Sequence, residues 1–447
     1  MKTIHEIRDP IHAFIKFDSD ERKVLDSEPV QRLRHVHQLA MGYLVYPGAT
    51  HRRFEHSLGV MELAGRVYDV ITDERNIRSD IKERFPELNM PQKRDYWRTV
   101  VRMAGLCHDI GHLPFSHAAE KELLPDGWSH EKLTALLVED SDIKTIFEQM
   151  RPLVSAEDVA KVAVGQKELK GRTFSDWETL LSEIIVGNAF GVDRMDYLLR
   201  DSHHAGVAYG KFDHFRLIDT MRILPMPVPG GQTEPQLGVE EGGLHSAEAL
   251  ALARYFMFVQ VYYHHIRRVY DIHLQDFLAE WLPNRKFPVD VTGHLSRSDL
   301  EISTAIAEAA KDQGNNGHVH ARRIVNRDHF KVLWQRNPED VETNPDAGKC
   351  VEDTAAARYS AENVRRDSYS PAEATIDFPV EQSGSDRNVT SAQVISAVLP
   401  HVPVAAVDNV YVRRDLLDDA EKWLSREKAE VIRPRLEDQN EETSDGG

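Results

Sequence analysis

The stretch Leu106–His117 reads LCHDIGHLPFSH, and it closes a segment whose apolar residues recur at helical spacing. That spacing predicts a helix that Gly111 stops, with Pro114 just beyond its end. His108 and Asp109 are adjacent at this helix end, where an imidazole nitrogen and a carboxylate oxygen can reach one ion. Because two ligands are too few for a tight site, we expect further ligands from other segments.

Two other segments offer ligands of the same kind. In HRRFEHSLGV the apolar period continues through Val60 and Leu63 and places His56 on the buried side of a helix. Asp193, in GVDRMDYLL, is an acid close to apolar residues. Together these segments predict a metal site of two histidines and two carboxylates, which are His56, His108, Asp109 and Asp193. Such a mixed nitrogen and oxygen set suits Mn, Fe, Zn or Mg and leaves positions for water and a phosphate oxygen.

Less specific interpretations of the same residues stay open at this level. A single buried histidine is more often a hydrogen-bonded core residue than a metal ligand. Asp193 and Asp196 would equally be charges on a helix surface, paired with Arg194 and Arg200. Arg53, taken alone, would belong to a solvated face. The complete ordered set of ligands is what favours a metal site.

The composition limits the classes of function. The chain has 447 residues, with 55 Lys and Arg against 73 Asp and Glu, for a net charge of −18. This acidic balance argues against nucleic acid as a partner, because broad DNA binding needs a basic face, but it allows a local basic pocket for a small polyphosphate. The cysteines Cys107 and Cys350 are far apart and form no disulfide framework. With no stretch that resembles a membrane span or a signal peptide, we expect a cytoplasmic protein without a membrane partner.

The fold class follows from a change of pattern along the chain. Helical periods dominate as far as residue 285, with VQRLRHVHQL and the long segment from His245 to Leu282 predicted as helical. The segment from Trp177 to Ser202 is predicted as one helix, or as two with a break near Gly187 to Gly191. Ile223 to Gly243 is rich in proline and glycine and predicts a hairpin or an excursion. Beyond Pro283, alternation in ATIDFPV and NVYVRRDL predicts strands mixed with helices. We therefore expect a mainly α protein with a helical domain over 1–285, a smaller α+β region over 286–435 and a disordered tail over 436–447.

The ordered motifs resemble those of a known family. The order H, HD, D at the predicted ligands is similar to that of the HD superfamily of metal-dependent phosphohydrolases. The segments THRRFEHSLGV, LCHDIGHLPFSH, WSHE and VDRMDYLLRDSHHAGVAYG look like those of the deoxynucleoside triphosphate triphosphohydrolases. This branch includes a vertebrate enzyme with an added SAM domain, which is not expected here. Over residues 5–285 the resemblance implies an HD fold that binds a divalent metal and hydrolyses dNTPs to deoxynucleoside and inorganic triphosphate.

The resemblance also implies roles for single residues. Arg53 would contact phosphate, and His117 and His130 would lie near the α-phosphate, with His117 as the general acid. Glu120, one turn beyond His117, would orient its imidazole and raise its pKa. The remaining substrate contacts would be Gln38 and Leu39 on the deoxyribose, His112 and Arg194 on phosphate, Tyr197 on the sugar, Asp201 on its 3′-hydroxyl and Tyr270 near the base.

Regulation and rival functions are further expectations. Asp26, Gln31 and Arg34 match an activator pocket that in the family takes a guanine nucleotide between subunits, although His5 and Phe14 depart from the animal enzyme's pattern. We therefore expect a guanine nucleotide or a dNTP as activator and a homo-oligomer, either a tetramer or a dimer. An equal alternative is that this segment is only the solvated side of a helix. The rival functions are an HD-type nuclease or phosphodiesterase acting on nucleic acid or another nucleotide, and a non-catalytic nucleotide sensor.

Overall fold

The computed structural model describes residues 3–116, 120–228, 232–370, 376–384 and 387–434. The chain divides into two compact units. The first comprises Met1–Met257, Leu278–Ala305 and Ala374–Pro403, and the second comprises Phe258–Phe277, Ile306–Glu373 and Val404–Gly447. This division differs from the predicted boundary at 285, because two later segments pack with the N-terminal helices. The predicted disordered tail lies outside the described residues.

Helices dominate the described residues, as the predicted mainly α class requires. In chain order they are α1 (Ser19–Leu25), α2 (Glu28–Arg32), α3 (Arg53–Ile71), α4 (Ser79–Arg84), α5 (Pro91–Cys107), α6 (Glu120–Leu123), α7 (His130–Asp140), α8 (Asp142–Gln149), α9 (Ala156–Val164), α10 (Asp176–Val186), α11 (Val192–Ala205), α12 (His214–Asp219), α13 (Leu244–Met257), α14 (His265–Trp281), α15 (Val291–Leu295), α16 (Asp299–Ala309), α17 (His318–Val325), α18 (Pro338–Thr343), α19 (Ala347–Tyr359), α20 (Ala392–Ile395) and α21 (Leu417–Val431).

The strands form small sheets in both units. They are β1 (Ile4–Asp9), β2 (Ala13–Asp18), β3 (Met221–Pro227), β4 (Thr233–Glu240), β5 (Lys331–Gln335), β6 (Val364–Tyr369), β7 (Pro379–Glu381), β8 (Val389–Ser391) and β9 (Val407–Val412). In the first unit β1 pairs with β2, and the order β3-β4-β7-β8 makes a second sheet in which β4 and β7 are parallel. The second unit holds the order β5-β9-β6. The predicted hairpin at 223–243 is confirmed as β3 and β4, which are antiparallel.

The long helices α3 and α5 cross closely in the core of the first unit. Val60, Leu63 and Val67 of α3 are fully buried, which confirms the apolar period that follows His56. A Cβ added at Gly105 of α5 would lie 3.1 Å from the Met61 backbone, so glycine allows the two helices to approach. The crossing brings the start of α3 and the end of α5 to the same side of the unit.

A turn between α10 and α11 determines where α11 begins. The predicted interruption near Gly187 to Gly191 is confirmed, because α10 ends at Val186 and α11 begins at Val192. A Cβ at Gly191 would lie 2.7 Å from the carbonyl oxygens of Gly187 and Ile185, so this turn requires glycine. Asp193 is thereby placed in the first turn of α11, where the helix dipole favours a carboxylate.

Three helix predictions need correction. The segment VQRLRHVHQL is not one helix, since α2 ends at Arg32 and Val36 is extended after a 3₁₀ turn. The cause is tertiary, because the N–H of His37 donates to the Asp299 carboxylate at 2.8 Å. The helix expected to run to Gly111 ends at Cys107, so the HD motif lies in the turn that follows it. The long helical pattern after 244 is split into α13 and α14 by a π-helical turn over Phe258–Tyr262.

Candidate active site

The predicted metal ligands converge on one point in the first unit. His56 Nε2 lies 3.0 Å from Asp193 Oδ1 and 3.6 Å from Asp109 Oδ2. His108 Nε2 lies 3.3 Å from Asp109 Oδ1 and 3.5 Å from Asp193 Oδ1. The ligands come from the start of α3, the turn after α5 and the start of α11. His56, His108 and Asp109 are buried, and the Asp193 side chain is 34% exposed, which leaves one approach from solvent.

Hydrogen bonds at the far ring nitrogens assign the tautomers of both histidines. The Nδ1–H of His108 donates to the Gly105 carbonyl at 2.9 Å, and the Nδ1–H of His56 donates to Asp196 Oδ2 at 2.8 Å. Each Nε2 then faces carboxylate oxygens at the shared centre. His108 Nε2 is buried and accepts no hydrogen bond from the described residues. Two inward Nε2 atoms among two carboxylates fit a divalent cation.

The electrostatics of the ligands show what a bound cation would replace. Burial by itself lowers the pKa of His56, but the hydrogen bonds to Asp193 and Asp196 outweigh it and raise the pKa to about 10. Without a cation, His56 Nε2 therefore carries a proton that it donates to Asp193 at 3.0 Å, and a metal ion would take the place of that proton. Burial raises the pKa of Asp109, whereas the Arg53 guanidinium and His108 hold it well below its ordinary range. The site is therefore rich in ionised oxygens that attract positive charge.

Asp196 is a buried partner of His56 that the sequence did not reveal. It is fully buried, accepts from His12 Nε2 at 2.7 Å and from Arg200 Nε at 2.8 Å. Arg200 in turn donates to Asp9 at 2.8 Å. The suggestion that Asp196 is a surface charge is therefore wrong, although its pairing with Arg200 is confirmed.

A glycine leaves the room that Asp196 occupies. A Cβ at Gly59, one turn beyond His56 on α3, would lie only 1.9 Å from Asp196 Oδ1. The sequence carried two signals of this arrangement, the i, i+4 spacing of Asp196 and Arg200 and a glycine inside an apolar helix.

Arg53, the predicted phosphate contact, lies beside the predicted metal ligands. Its Nη1 donates to Asp109 and its Nε donates to Ser116 Oγ at 2.8 Å. The guanidinium is buried, so its charge is weakly screened. His112 Nε2 lies 3.2 Å from Asp109 Oδ1, and burial together with the charge of Arg53 holds the pKa of His112 well below its ordinary value. His112 is therefore a neutral imidazole beside a cationic guanidinium.

His130 is the neighbouring imidazole whose pKa is shifted in the opposite direction from that of His112. Its ring stacks on that of His112 with centroids 3.9 Å apart. Glu120 Oε1 accepts from the backbone N–H of His130 at 2.9 Å and from its Nδ1 at 2.6 Å. Burial lowers the pKa of His130, but Glu120 outweighs this and raises it above 6.5. The described contacts of Glu120 are thus with His130, while the predicted partner His117 lies outside the described residues.

The residues predicted to contact the sugar lie on the same unit. Asp201, 1% exposed, accepts from His51 Nε2 at 2.7 Å. The backbone N–H of Gln38 donates to the His51 carbonyl at 3.1 Å, and Leu39 is buried beside it in the chain. His51, to which the sequence pattern assigns no role, therefore joins two parts of the predicted sugar pocket.

Other predicted substrate residues have different surroundings. Arg194 Nη1 donates to the carbonyls of Gly187 at 2.9 Å and Asn188 at 2.5 Å, so it closes the loop before α11. Burial raises the pKa of Tyr197 on the same helix. Tyr270 is fully buried in the second unit. The roles of these residues in substrate binding stay predictions.

The predicted activator residues lie near one another, with Asp26 directly after α1, Gln31 on α2 and Arg34 in the 3₁₀ turn that follows α2. Arg22 Nε donates to Asp26 at 3.3 Å at the end of α1. Gln31 Nε2 donates to the Leu25 carbonyl at 2.8 Å and its Oε1 accepts from Arg34 Nε at 2.8 Å. The activator pocket stays a prediction.

Comparison with known proteins identifies the family. The HD domain family matches residues 53–201, which hold all of the converging ligands, and the HD associated region matches residues 212–394. The chain belongs to the HD-domain family. The family predicted from the ordered motifs is therefore confirmed, and the HD domain match begins at Arg53, the first residue of α3.

Relatives of this HD-domain chain include enzymes named for dNTP hydrolysis. The deoxynucleoside triphosphate triphosphohydrolase SAMHD1 of Homo sapiens is 35% identical over 244 residues, which is 49% of this chain and 36% of SAMHD1. The uncharacterized protein YwfO of Bacillus subtilis is 31% identical over 61% of this chain and 54% of its own length. The chain thus spans about half, or less, of the length of these curated relatives.

A solved structure resembles nearly the whole HD-domain chain. The crystal structure of a hypothetical protein from Aquifex aeolicus is 31% identical with a TM-score of 0.75. The match covers 94% of this chain and 100% of the Aquifex chain.

Within the described residues, no helix combines the length and the apolarity that a bilayer crossing demands.

Proposed function

We propose that the protein hydrolyses deoxynucleoside triphosphates to deoxynucleoside and inorganic triphosphate with the help of a divalent metal. The observation that carries the proposal is the convergence of two histidine Nε2 atoms and two carboxylates beside a buried arginine. Its similarity to proteins named deoxynucleoside triphosphate triphosphohydrolase supports the choice of substrate.

The predicted ligands would hold the metal, which is Mn, Mg, Fe or Zn. When bound, it polarises a phosphoryl oxygen and lowers the pKa of a coordinated water. Asp196 keeps His56 in the tautomer that offers Nε2, and the Gly105 carbonyl does the same for His108.

Positive side chains on one side of the ligands would hold the triphosphate. Arg53 presents a buried guanidinium, and His130 keeps its proton through Glu120. A triphosphate carries about four negative charges, which such groups can attract even though the chain is acidic overall. We assign the proton donation to the leaving 5′-oxygen to His117, as the family resemblance implies, and phosphate binding to His130.

The sugar would lie against Gln38, Leu39 and Tyr197, which exclude a 2′-hydroxyl. Asp201, oriented by His51, would accept a hydrogen bond from the 3′-hydroxyl. Turnover of GTP at a rate close to that of dGTP would refute this assignment.

A product analysis tests the proposed reaction. All four dNTPs are assayed singly and mixed, with Mg²⁺ or Mn²⁺ and with or without GTP. We expect free deoxynucleoside by chromatography and inorganic triphosphate, detected as phosphate only after pyrophosphatase is added. Release of a nucleoside monophosphate, or nicking of DNA, would instead identify a phosphodiesterase or nuclease.

Regulation by a nucleotide is part of the proposal. A guanine nucleotide or dNTP would bind at Asp26, Gln31 and Arg34 and promote a dimer or tetramer. Light scattering after size-exclusion chromatography, with and without GTP, should show a larger mass in the presence of nucleotide. If GTP changes the mass of neither the wild type nor Arg34→Ala, the activator pocket is rejected.

A further inference from the structure

A buried carboxylate outside the HD domain match contacts the loops beside the candidate metal site. Asp299 begins α16, is 1% exposed and belongs to the HD associated region. Its Oδ2 accepts the backbone N–H of His37 at 2.8 Å and lies 2.6 Å from His37 Nδ1. Its Oδ1 accepts the backbone N–H of Phe115 at 2.7 Å. One carboxylate therefore joins two loops that are distant in the sequence.

The turn at Phe115 and Ser116 needs such support. Their φ angles are +55° and +58°, in the left-handed region that residues with a Cβ rarely adopt. Both residues are buried, and the Phe115 ring lies parallel to that of His37 with centroids 5.9 Å apart. Conformations of this kind persist only where the surroundings hold them, and they concentrate at functional sites.

The strained turn reaches the metal ligands through a serine. Ser116 Oγ donates to the His37 carbonyl at 3.0 Å and accepts from Arg53 Nε at 2.8 Å. Arg53 then donates through Nη1 to Asp109. A continuous series of hydrogen bonds and covalent links thus runs from Asp299 to a predicted metal ligand.

We propose that Asp299 is a positioning residue for the reaction of this site, an inference that rests on the proposed phosphohydrolase function. It holds the Phe115–Ser116 turn in its left-handed conformation, so that Ser116 fixes the Arg53 guanidinium beside Asp109. The charge and shape of the carboxylate are both required. An asparagine would turn its NH₂ group towards one of the N–H donors and leave that donor without an acceptor.

The segment that carries Asp299 has a second attachment. Arg32 Nε donates to the Arg297 carbonyl at 2.8 Å, and its Nη2 donates to the His112 carbonyl at 3.0 Å. Because these bonds do not involve Asp299, loss of the carboxylate should leave the segment docked. The effect of an Asp299 substitution should therefore concentrate on the turn and on Arg53.

The test combines a double-mutant cycle with hydrogen exchange. The variants are Asp299→Asn, Ser116→Ala and their combination, with Asp299→Glu as a second substitution should the asparagine protein fail to fold. Glu248→Gln is the matched control, because Glu248 is also a buried carboxylate that joins distant segments, accepting from Ser396 Oγ at 2.6 Å. Hydrolysis of dNTPs and of bis-p-nitrophenyl phosphate is measured with Mn²⁺, and metal content and amide exchange of residues 113–116 are followed.

The expected results separate positioning from a general loss of structure. Asp299→Asn should lower kcat/KM by about 10- to 100-fold, the range for partners that orient active-site ligands, with metal content unchanged. Adding Ser116→Ala should then change kcat/KM by less than about threefold, because both act through one series of bonds. Exchange at 113–116 should quicken in Asp299→Asn and not in Glu248→Gln.

Two results would overturn the inference. One is unchanged exchange at 113–116 in both Asp299 variants, which needs no turnover to observe. The other is a double variant whose loss of kcat/KM equals the product of the losses in the two single variants. If the wild type cleaves only bis-p-nitrophenyl phosphate, the proposed substrate is wrong, and the cycle on that ester together with exchange still decides the role of Asp299.

Discussion

The two units each contain a cluster of two histidines and one aspartate, but the clusters differ in the nitrogen that they offer. The first unit has His56, His108 and Asp109, and the second has His273, Asp276 and His320. In each cluster, one potential ligand atom per residue lies within 4.8 Å of the others. Residue type and distance therefore do not distinguish them as metal sites.

The protons on the rings do distinguish them. In the first cluster both Nδ1–H groups donate outward, so both Nε2 atoms face the shared centre. In the second, His273 Nε2 accepts the backbone N–H of Phe330 at 3.2 Å. The proton of the neutral ring then sits on Nδ1, which cannot also bind a cation.

The charges around the carboxylates are similar in the two clusters, whereas those around the histidines differ. Arg365 Nη2 lies 3.4 Å from Asp276 Oδ2, and Asp109 is likewise paired with Arg53, so neither carboxylate is without a cation. Burial and the charge of Arg323 lower the pKa of His273 to about 2. The two clusters thus differ in the hydrogen-bond partner of the ring nitrogen that faces away from the cluster centre. We infer that this partner, more than the types of the ligand residues, determines whether a cluster can hold a metal.

The largest expected effect separates the two clusters by activity. His56→Ala and Asp193→Ala should each lower kcat by about 10³-fold or more, since the charge stabilisation from the metal is lost. His273→Ala, the control from the second cluster, should lower the melting temperature but retain kcat. The distinction between the two clusters is wrong if His273→Ala loses as much kcat as His56→Ala.

Asp196, the hydrogen-bond partner of His56 Nδ1, can be displaced without substituting a predicted metal ligand. Gly59→Ala should push Asp196 away from His56 and weaken metal affinity by about 10- to 100-fold. Gly65→Ala is the control on the same helix, because its Cβ would meet Arg102, which is not a ligand. Calorimetric titration with Mn²⁺ gives both affinities, and equal affinities in the two variants would contradict the role of Asp196.

The proton on His130 sets a pH dependence. Glu120 raises the pKa of His130, so its charge is present below 6.5 and is lost as pH rises through the higher pKa of the folded state. Glu120→Gln should therefore move the alkaline limb of kcat/KM to lower pH. Glu131→Gln, whose carboxylate is 3.3 Å from His130 Nε2, should move it less. An unchanged limb in Glu120→Gln would reject His130 as the titrating group.

The smallest expected effect concerns the sugar. His51→Ala removes the donor that orients Asp201 and should raise KM for dNTPs about fivefold, the equivalent of one hydrogen bond of ~1 kcal/mol. Dideoxynucleotides lack the 3′-hydroxyl and serve as the control substrate. If KM for dNTPs and dideoxynucleotides rises equally, Asp201 does not bind the 3′-hydroxyl.

The sequence predicted what depends on local pattern. The period after His56, the glycine break before Asp193 and the hairpin at 223–243 all follow from residues close in the chain. The ordered H, HD, D motif identified the predicted ligands for the same reason, since His56 and Asp193 lie in the first turns of helices and the HD pair directly follows the end of another.

What the sequence could not predict depends on contacts across long separations. The segment after Arg32 has a helical pattern, yet the N–H of His37 bonds to Asp299, 262 residues away. The burial of Asp196 requires the space left at Gly59, which lies 137 positions earlier. Such partners are set by tertiary packing, and single-sequence periodicity does not contain them.

The central claim is that the first cluster, and not the second, binds the catalytic metal. The most direct measurement is the metal content of wild type, His108→Ala and His273→Ala by inductively coupled plasma mass spectrometry, after loading with Mn²⁺ and dialysis. We predict bound manganese in wild type and His273→Ala and its loss in His108→Ala. Manganese that stays in His108→Ala and disappears from His273→Ala would contradict the account.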